Sequence, residues 1–318
     1  MLDTDREKRD GSPMTTTTDH SLPRFDPDSF AGDVAFAVLG SGSLGAKAVG
    51  LLTIRDRILT RFDSSLFDGV EVCVPRVLVI ATDIFSAFME RNGLWKVLDD
   101  ELPDPQIARE FQTGELPVAV REDLRAFLGL VRSPLVIRPS SFLEDAHDHA
   151  FAGIFTSKVI PNSEEDDELR YRRLSGAVKL AWASTFFSNA MISRRAAGLE
   201  PDAEKMAVVI QDVMGSRRGG RFYPTLSAVA RSYNHYPTPG NKREDGVVSI
   251  ALGLGKTITD GEHVWSYSPL RPTAPPPYKG NAELLKFTQN SFWAINVADP
   301  PPPDPVRETA CLVRSGLG

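Results

Sequence analysis

Cysteine is nearly absent from this sequence: Cys73 and Cys311 are the two cysteines in 318 residues. They lie far apart, and neither sits in a metal-type spacing. That excludes a disulfide framework and a zinc ribbon, and it fits a reducing, cytoplasmic compartment. No apolar run approaches the roughly 20 residues of a membrane-spanning helix. The start, MLDTDREKRDGSPMTTTTDH, lacks the apolar core of a secretion signal and reads as a polar, disordered leader. Positive charge is not in excess either. The formal net charge of −6 argues against a nucleic-acid footprint, which needs a basic face.

An apolar share of 42% is ordinary for a globular protein, and the length fits two domains or one with a large insertion. The most informative stretch is PLVIRPSSFLEDAHDHAFAGIFTSKVI, Pro134 to Ile160. Leu135-Val136-Ile137 has strand length and β-branched character and delivers Arg138 to its end. Pro139 biases Arg138 to an extended conformation. Ser140, Ser141, Glu144 and Asp145 follow, then Ala152-Gly153 and a second apolar run from Phe155. One arginine beside hydroxyls and a glycine turn suits an anionic ligand, because guanidinium makes paired bonds to phosphate oxygens. An edge strand whose Arg138 pairs with Glu144 or Asp145 is the alternative.

Upstream, an apolar run ends at Leu39 and opens into GSGSLGAKAVG. Gly40, Gly42 and Gly45 permit close backbone approach, and Lys47 stands at the start of a helix carrying Leu51, Leu52, Ile54 and Ile58. Amides, a helix N-terminus and an ammonium together make a phosphate cradle. The pattern is not the Walker loop, since Ala48 follows the lysine; a tight structural turn is the alternative and the better-supported reading of the glycines.

Strands are expected over Val70–Pro75, Val77–Ile80, Lys205–Met214, Phe222–Val229, Val247–Leu252 and Val264–Tyr267, and a long helix over about Leu169–Ala197. Thr82 reads as the N-cap of a further helix. The acidic loop from Glu164 to Asp167 reads as solvated. Gln211 and Asp212 interrupt an apolar strand and mark either its exit toward a base-binding site or an ordinary polar end. After Pro269 the chain turns Pro-rich and ends without a terminating element, as a cut inside a longer protein would.

The order of these segments carries more than any one of them. The glycine loop with Lys47, VPRVLVIATDIFSAFM, the Arg138 strand with SSFLED, FAGIF, WASTFF, EKMAVVIQDVMG, RFYPTLSAVARSYNHYP and ALGLGKTITDG succeed one another. This resembles the ATP-binding domain of the phosphoenolpyruvate synthase and pyruvate phosphate dikinase family. The resemblance covers about Leu39 to Pro269. It implies an α+β, ATP-grasp-like fold with mixed and antiparallel sheets packed with helices in two subdomains. These are expected at about 31–133 and 134–269, after a leader at 1–30 and before an incomplete segment at 270–318.

The resemblance also implies roles. Lys47 takes the place of the family's phosphate-binding lysine, and Arg138 that of its phosphate-binding arginine. Gly153 stands for the glycine of the FAG motif, and Ser157 for a nearby threonine. Gln211, with Asp212 and Val213 after it, lies where the adenine binds. The cofactors implied are ATP and Mg2+. The partners implied are a phosphohistidine domain and a pyruvate-binding domain, with no nucleic acid and no membrane. There are departures. Ala46 replaces a glycine and Pro139 a serine. The late acidic and glutamine residues that hold magnesium near an LQxRP motif find no match. None of His20, His147, His149, His235 and His263 sits in the context of the phosphorylated histidine.

Overall fold

The computed structural model describes residues 22–32, 34–98, 102–142, 153–200, 202, 204–274, 280–302, 304 and 311–316. Short, wholly buried apolar runs build its central sheet. β1 (Phe36–Leu39) and β2 (Val77–Ile80) pair in parallel. β5 (Ala207–Asp212) lies antiparallel between β2 and β3 (Leu135–Ser140), and β4 (Lys158–Ile160) forms the edge, giving the order β1-β2-β5-β3-β4.

The two faces of this sheet have different cores. Ala37, Leu39, Leu78, Ile80, Leu135, Ile137, Val208 and Ile210 point into the larger one. There they meet α3 (Thr82–Arg91), α4 (Asp104–Thr113), α5 (Val118–Leu130) and α6 (Asp167–Ala183), each presenting a buried apolar stripe. Trp182 of α6 packs on Phe88 at a ring separation of 4.9 Å and donates its indole N–H to the Met206 carbonyl at 3.1 Å. On the opposite face Phe36, Val38, Val77, Val79 and Val209 are covered by Ala48 and Leu52 of α2 (Gly45–Thr53).

Past β5 the chain builds a second unit of two antiparallel sheets. β6 (Ser216–Arg218), β7 (Arg221–Tyr223), β11 (Ser291–Asn296) and β12 (Leu312–Gly316) form one, in the order β12-β11-β7-β6. β8 (Leu226–Arg231), β9 (Val247–Leu252) and β10 (Trp265–Tyr267) form the other. α8 (Lys256–Thr259) follows β9, and α9 (Asn281–Phe287) precedes β11. The fold is α+β, with mixed and antiparallel sheets packed with helices, as the resemblance implies.

Several boundaries differ from the sequence reading. Residues before Phe30 are not all leader: Phe25 and Phe30 are buried against Phe127, and α1 (Pro27–Ala31) is capped by the Asp26 carboxylate. A subdomain boundary at 133/134 would cut the central sheet, because β1 and β2 pair into the same ladder as β3, β4 and β5. The change of unit falls after β5. Residues 70–75 form no strand; Pro75 and an exposed backbone leave them as coil. Phe222–Val229 is two strands in different sheets, broken at Pro224. The long helix is interrupted: Phe187 turns extended, and α7 (Ser188–Ala196) starts afresh where Asp104 of α4 accepts from the Ser188 amide at 2.8 Å. The segment after Pro269 is not all Pro-rich coil, since β12 pairs along β11. Glu164 is not solvated; its carboxylate is buried against Arg173.

Candidate functional site

The glycine loop is shaped by the helix that follows β2. Asp83 accepts from the amides of Ser41 at 2.9 Å and Gly42 at 3.0 Å, and Thr82 Oγ1 accepts from the Ser43 amide at 2.9 Å. Thr82 is thus the first residue of α3, not its cap, and its hydroxyl serves the loop instead. Burial pulls the Asp83 carboxyl upward, but these donors outweigh it and leave it below its ordinary value. A Cβ at Gly42 would meet the Asp83 amide at 2.6 Å, so the glycine is required for space. The amides of Ser41, Gly42 and Ser43 are thus committed to protein and are not open to phosphate.

The loop instead sets α2 against the end of β3. Gly45 adopts φ +72° and abuts the backbone of Ser140. Ser140 Oγ donates to the Leu44 carbonyl at 2.9 Å and accepts from the Ala48 amide at 3.3 Å. Lys47 Nζ donates to the Pro139 carbonyl at 2.9 Å. Lys47 is thus held at the carbonyl of the residue that follows Arg138. β4 pairs only with Leu135–Ile137, so Pro139 lies where β3 has lost that neighbour, a position that tolerates a missing N–H.

Side-chain alternation decides which face the site uses. Leu135 and Ile137 enter the larger core, so Val136 and Arg138 point to the α2 face. Arg138 pairs in register with Val209, and Val136 with Gln211. Gln211 therefore shares the face diagonally from Arg138. Neither side chain has a hydrogen bond or ion pair with another described residue, and Arg138 is half-buried. A bland edge-strand ion pair for Arg138 is not formed within the described residues; Glu144 and Asp145, the partners weighed from sequence, lie outside them.

Asp212 and Val213 are placed differently. Asp212 binds Arg76 at 3.1 Å, its amide donates to the Arg76 carbonyl, and the Val213 amide donates to the Pro134 carbonyl at 2.9 Å. Both amides are consumed, so a base at this strand end would meet carbonyls and side chains rather than these N–H groups. Gly153 has φ +76° with open space around it. Ser157 precedes β4 and is half-buried.

The second unit supplies a facing wall. Ile295, Val297, Cys311 and Leu312 meet Val159 and Val213, which lie on the Arg138 side of the central sheet. Trp293 and Arg314 stand opposite each other one step along from Ile295 and Leu312, on the same face. Arg314 and Lys256 lie over the Trp293 ring at 5.8 and 5.6 Å. Lys256 is paired with Asp260 at 2.8 Å and Arg314 with Glu262 at 2.9 Å. Trp293 and these cations were missed from sequence, since the second wall's register is set by pairing between β11 and β12. The buried Arg194–Glu204 pair, 2.9 Å apart, was missed as well; Glu204 also accepts from Ser141 and anchors the end of β3.

A cavity of about 630 Å3 lies beside the glycine loop, lined by Arg24, Leu39, Ser41, Asp83, Val120 and Asp123 among others. Burial raises the Asp123 carboxyl, with Arg24 acting against the shift. Lys47, Arg138 and Gln211 do not line it.

A magnesium ion wants hard oxygens, carboxylates foremost. Among the described residues no group of three or more His, Cys, Asp or Glu could hold a metal. β11 and β12 carry no carboxylate at all. Magnesium carried by a nucleotide needs only one or two carboxylates beside the phosphates; of the described ones, Asp83, Asp212, Asp260 and Glu262 are held by protein partners. Among the described residues, too, no helix is long and apolar enough to cross a membrane.

The family model described as pyruvate phosphate dikinase, AMP/ATP-binding domain, matches residues 41–266. A probable phosphoenolpyruvate synthase from Staphylothermus marinus is 25% identical over 213 residues, covering 59% of this chain and 23% of that protein. The chain thus spans less than a quarter of that relative's length. The family match opens in the glycine loop and closes in β10, so β11 and β12 lie outside it.

Proposed function

The chain belongs to the pyruvate phosphate dikinase AMP/ATP-binding domain family, and from that premise we propose that it is the nucleotide-binding portion of an ATP-dependent phosphotransferase resembling phosphoenolpyruvate synthase. ATP would lie between the two walls. Arg138 would make paired, charge-assisted bonds to phosphate oxygens, and Lys47 would leave the Pro139 carbonyl, or bridge from it, to share the same charge. Gln211 would offer an amide to the base. Fixed cations of this kind stabilise charge on a transferring phosphoryl group without reorganising. The acceptor would be a histidine on another domain, and pyruvate the final substrate, both outside this chain.

The observation that supports this reading is Lys47 Nζ at 2.9 Å from the carbonyl adjoining Arg138. The test is ATP affinity by calorimetry: Arg138→Ala is expected to weaken binding about ten- to a hundredfold, from the loss of a charged hydrogen-bonded contact. Unchanged affinity would remove Arg138 from the site. A second reading, a module that binds nucleotide without passing on phosphate, is favoured by the commitment of Asp83, Asp212, Asp260 and Glu262 to protein partners. Phosphorylation of a histidine by ATP in the full-length protein would exclude it.

A further inference from the structure

We propose that Ser140 is a positioning residue of the nucleotide site: its hydroxyl clamps the first turn of α2 and so sets where Lys47 stands relative to Arg138. The inference rests on the nucleotide reading above.

A helix leaves its first amides without partners of its own, and a short polar side chain at the N-cap ordinarily takes one of them. α2 lacks that device, because its N-cap is Leu44, whose side chain makes no capping bond. The acceptors come from β3 instead. The Ser141 carbonyl accepts from the Ala46 amide at 3.3 Å. Ser140 Oγ accepts from the Ala48 amide at 3.3 Å and donates to the Leu44 carbonyl at 2.9 Å. In a regular helix that amide and that carbonyl are partners of each other, four residues apart. The Ser140 hydroxyl bridges the pair and holds the turn to the strand. Ser140 is wholly buried, so water has no access to take its place.

Alternation along β3 puts Ser140 on the same face as Arg138. Lys47 lies inside the clamped turn, and its Nζ reaches the Pro139 carbonyl at 2.9 Å. The clamp and the cation thus belong to one short circuit of contacts, from Arg138 to Ser140 along the strand and from Leu44 to Ala48 along the helix. Ala48 and Leu52 also bury against the sheet, and that apolar contact keeps α2 docked when the hydroxyl is removed. What the hydroxyl adds is placement. Apolar contact is non-directional and tolerates sliding, whereas one oxygen that both donates and accepts does not. Without it the Ala48 amide and the Leu44 carbonyl close on each other, the first turn tightens, and Lys47 moves with it.

The experiment is calorimetric titration of the full chain with ATP for wild type, Ser140→Ala, Lys47→Ala and the double variant, with Arg138→Ala as reference. Ser140→Ala is expected to weaken ATP binding about tenfold, the scale of a charged hydrogen bond poorly made. Because that loss passes through Lys47, the double variant is expected to bind no more weakly than Lys47→Ala alone. Losses that multiply independently overturn the proposal, since a general loosening of the fold gives that result. Unchanged affinity in Ser140→Ala overturns it too. So does a neutral Lys47→Ala beside a damaging Arg138→Ala, an outcome that leaves the nucleotide reading standing. Where Ser140→Ala does not fold, Ser140→Cys, close in size and weaker in hydrogen bonding, takes its place in the same cycle. A wild-type chain that binds no ATP defeats the nucleotide reading itself, and this inference with it.

Discussion

Gly45 and Ser140, 95 positions apart in a numbering fixed by the sequence, touch backbone to backbone where α2 meets the end of β3. The glycine also sits at φ +72°, a region that side-chain-bearing residues rarely enter. Gly45→Ala is therefore expected to lose about 3 kcal/mol or more, combining backbone strain with a steric clash. Denaturant unfolding measures it, and a loss below about 1 kcal/mol would show that α2 can shift away.

Asp83 holds the loop that starts α2. Asp83→Ala removes acceptors for two amides and is expected to cost about 1 kcal/mol, in the manner of a lost helix cap. Its carboxyl lies below its ordinary value in the fold. Stability from this group is therefore present above the unfolded value and is lost as pH falls through the folded one. The wild-type unfolding midpoint should drop in acid more steeply than that of Asp83→Ala; parallel curves would refute the assignment.

Asp212 has the reverse sign. Burial raises its carboxyl, against the pull of Arg76. Its contribution is fully present below the unfolded value and fades as pH rises through the folded one. At neutral pH Asp212→Asn, which mimics the protonated form, should unfold at the same denaturant concentration as wild type or a higher one. A clear loss would mean that the Arg76 pair outweighs the cost of burial.

Arg194 and Glu204 are both almost wholly buried. Arg194→Met is expected to cost about 3–5 kcal/mol because it leaves a carboxylate uncompensated. Adding Glu204→Leu should recover part of that loss. A double variant less stable than the single one would mean that Glu204 is worth more to Ser141 than the pair is to the core.

The central sheet was legible because its strands are short apolar runs ended by polar or glycine residues. β2 and β9 match their expected limits, and the Arg138 strand sits where its apolar run placed it. The resemblance assigned Lys47 and Arg138 to the phosphates of one nucleotide; the structure sets Lys47 Nζ at the Pro139 carbonyl, at the end of the strand that carries Arg138. What failed has a common cause. The break at Phe187 is made by a carboxylate on α4, the burial of Glu164 by an arginine on α6, and the fate of the glycine-loop amides by Asp83. Each depends on a partner distant in the chain, and periodicity reports only local preference. The C-terminal strands were hidden by the surrounding prolines, which read as linker until β11 finds β7 and β12.

The apolar seam of Val159 and Val213 with Ile295, Val297 and Cys311 joins the two walls, beside hydrogen bonds from Lys158 to the Asp304 carbonyl and from Arg173 to the Pro301 carbonyl. Geometrically this is the spine of a half-open book. These contacts set the spread of the pages, and a nucleotide bridging Gln211 and Trp293, as proposed above, would become a clasp at the open edge. Trimming Ile295 to alanine would then alter the reach of that clasp without touching a single group in contact with the occupant.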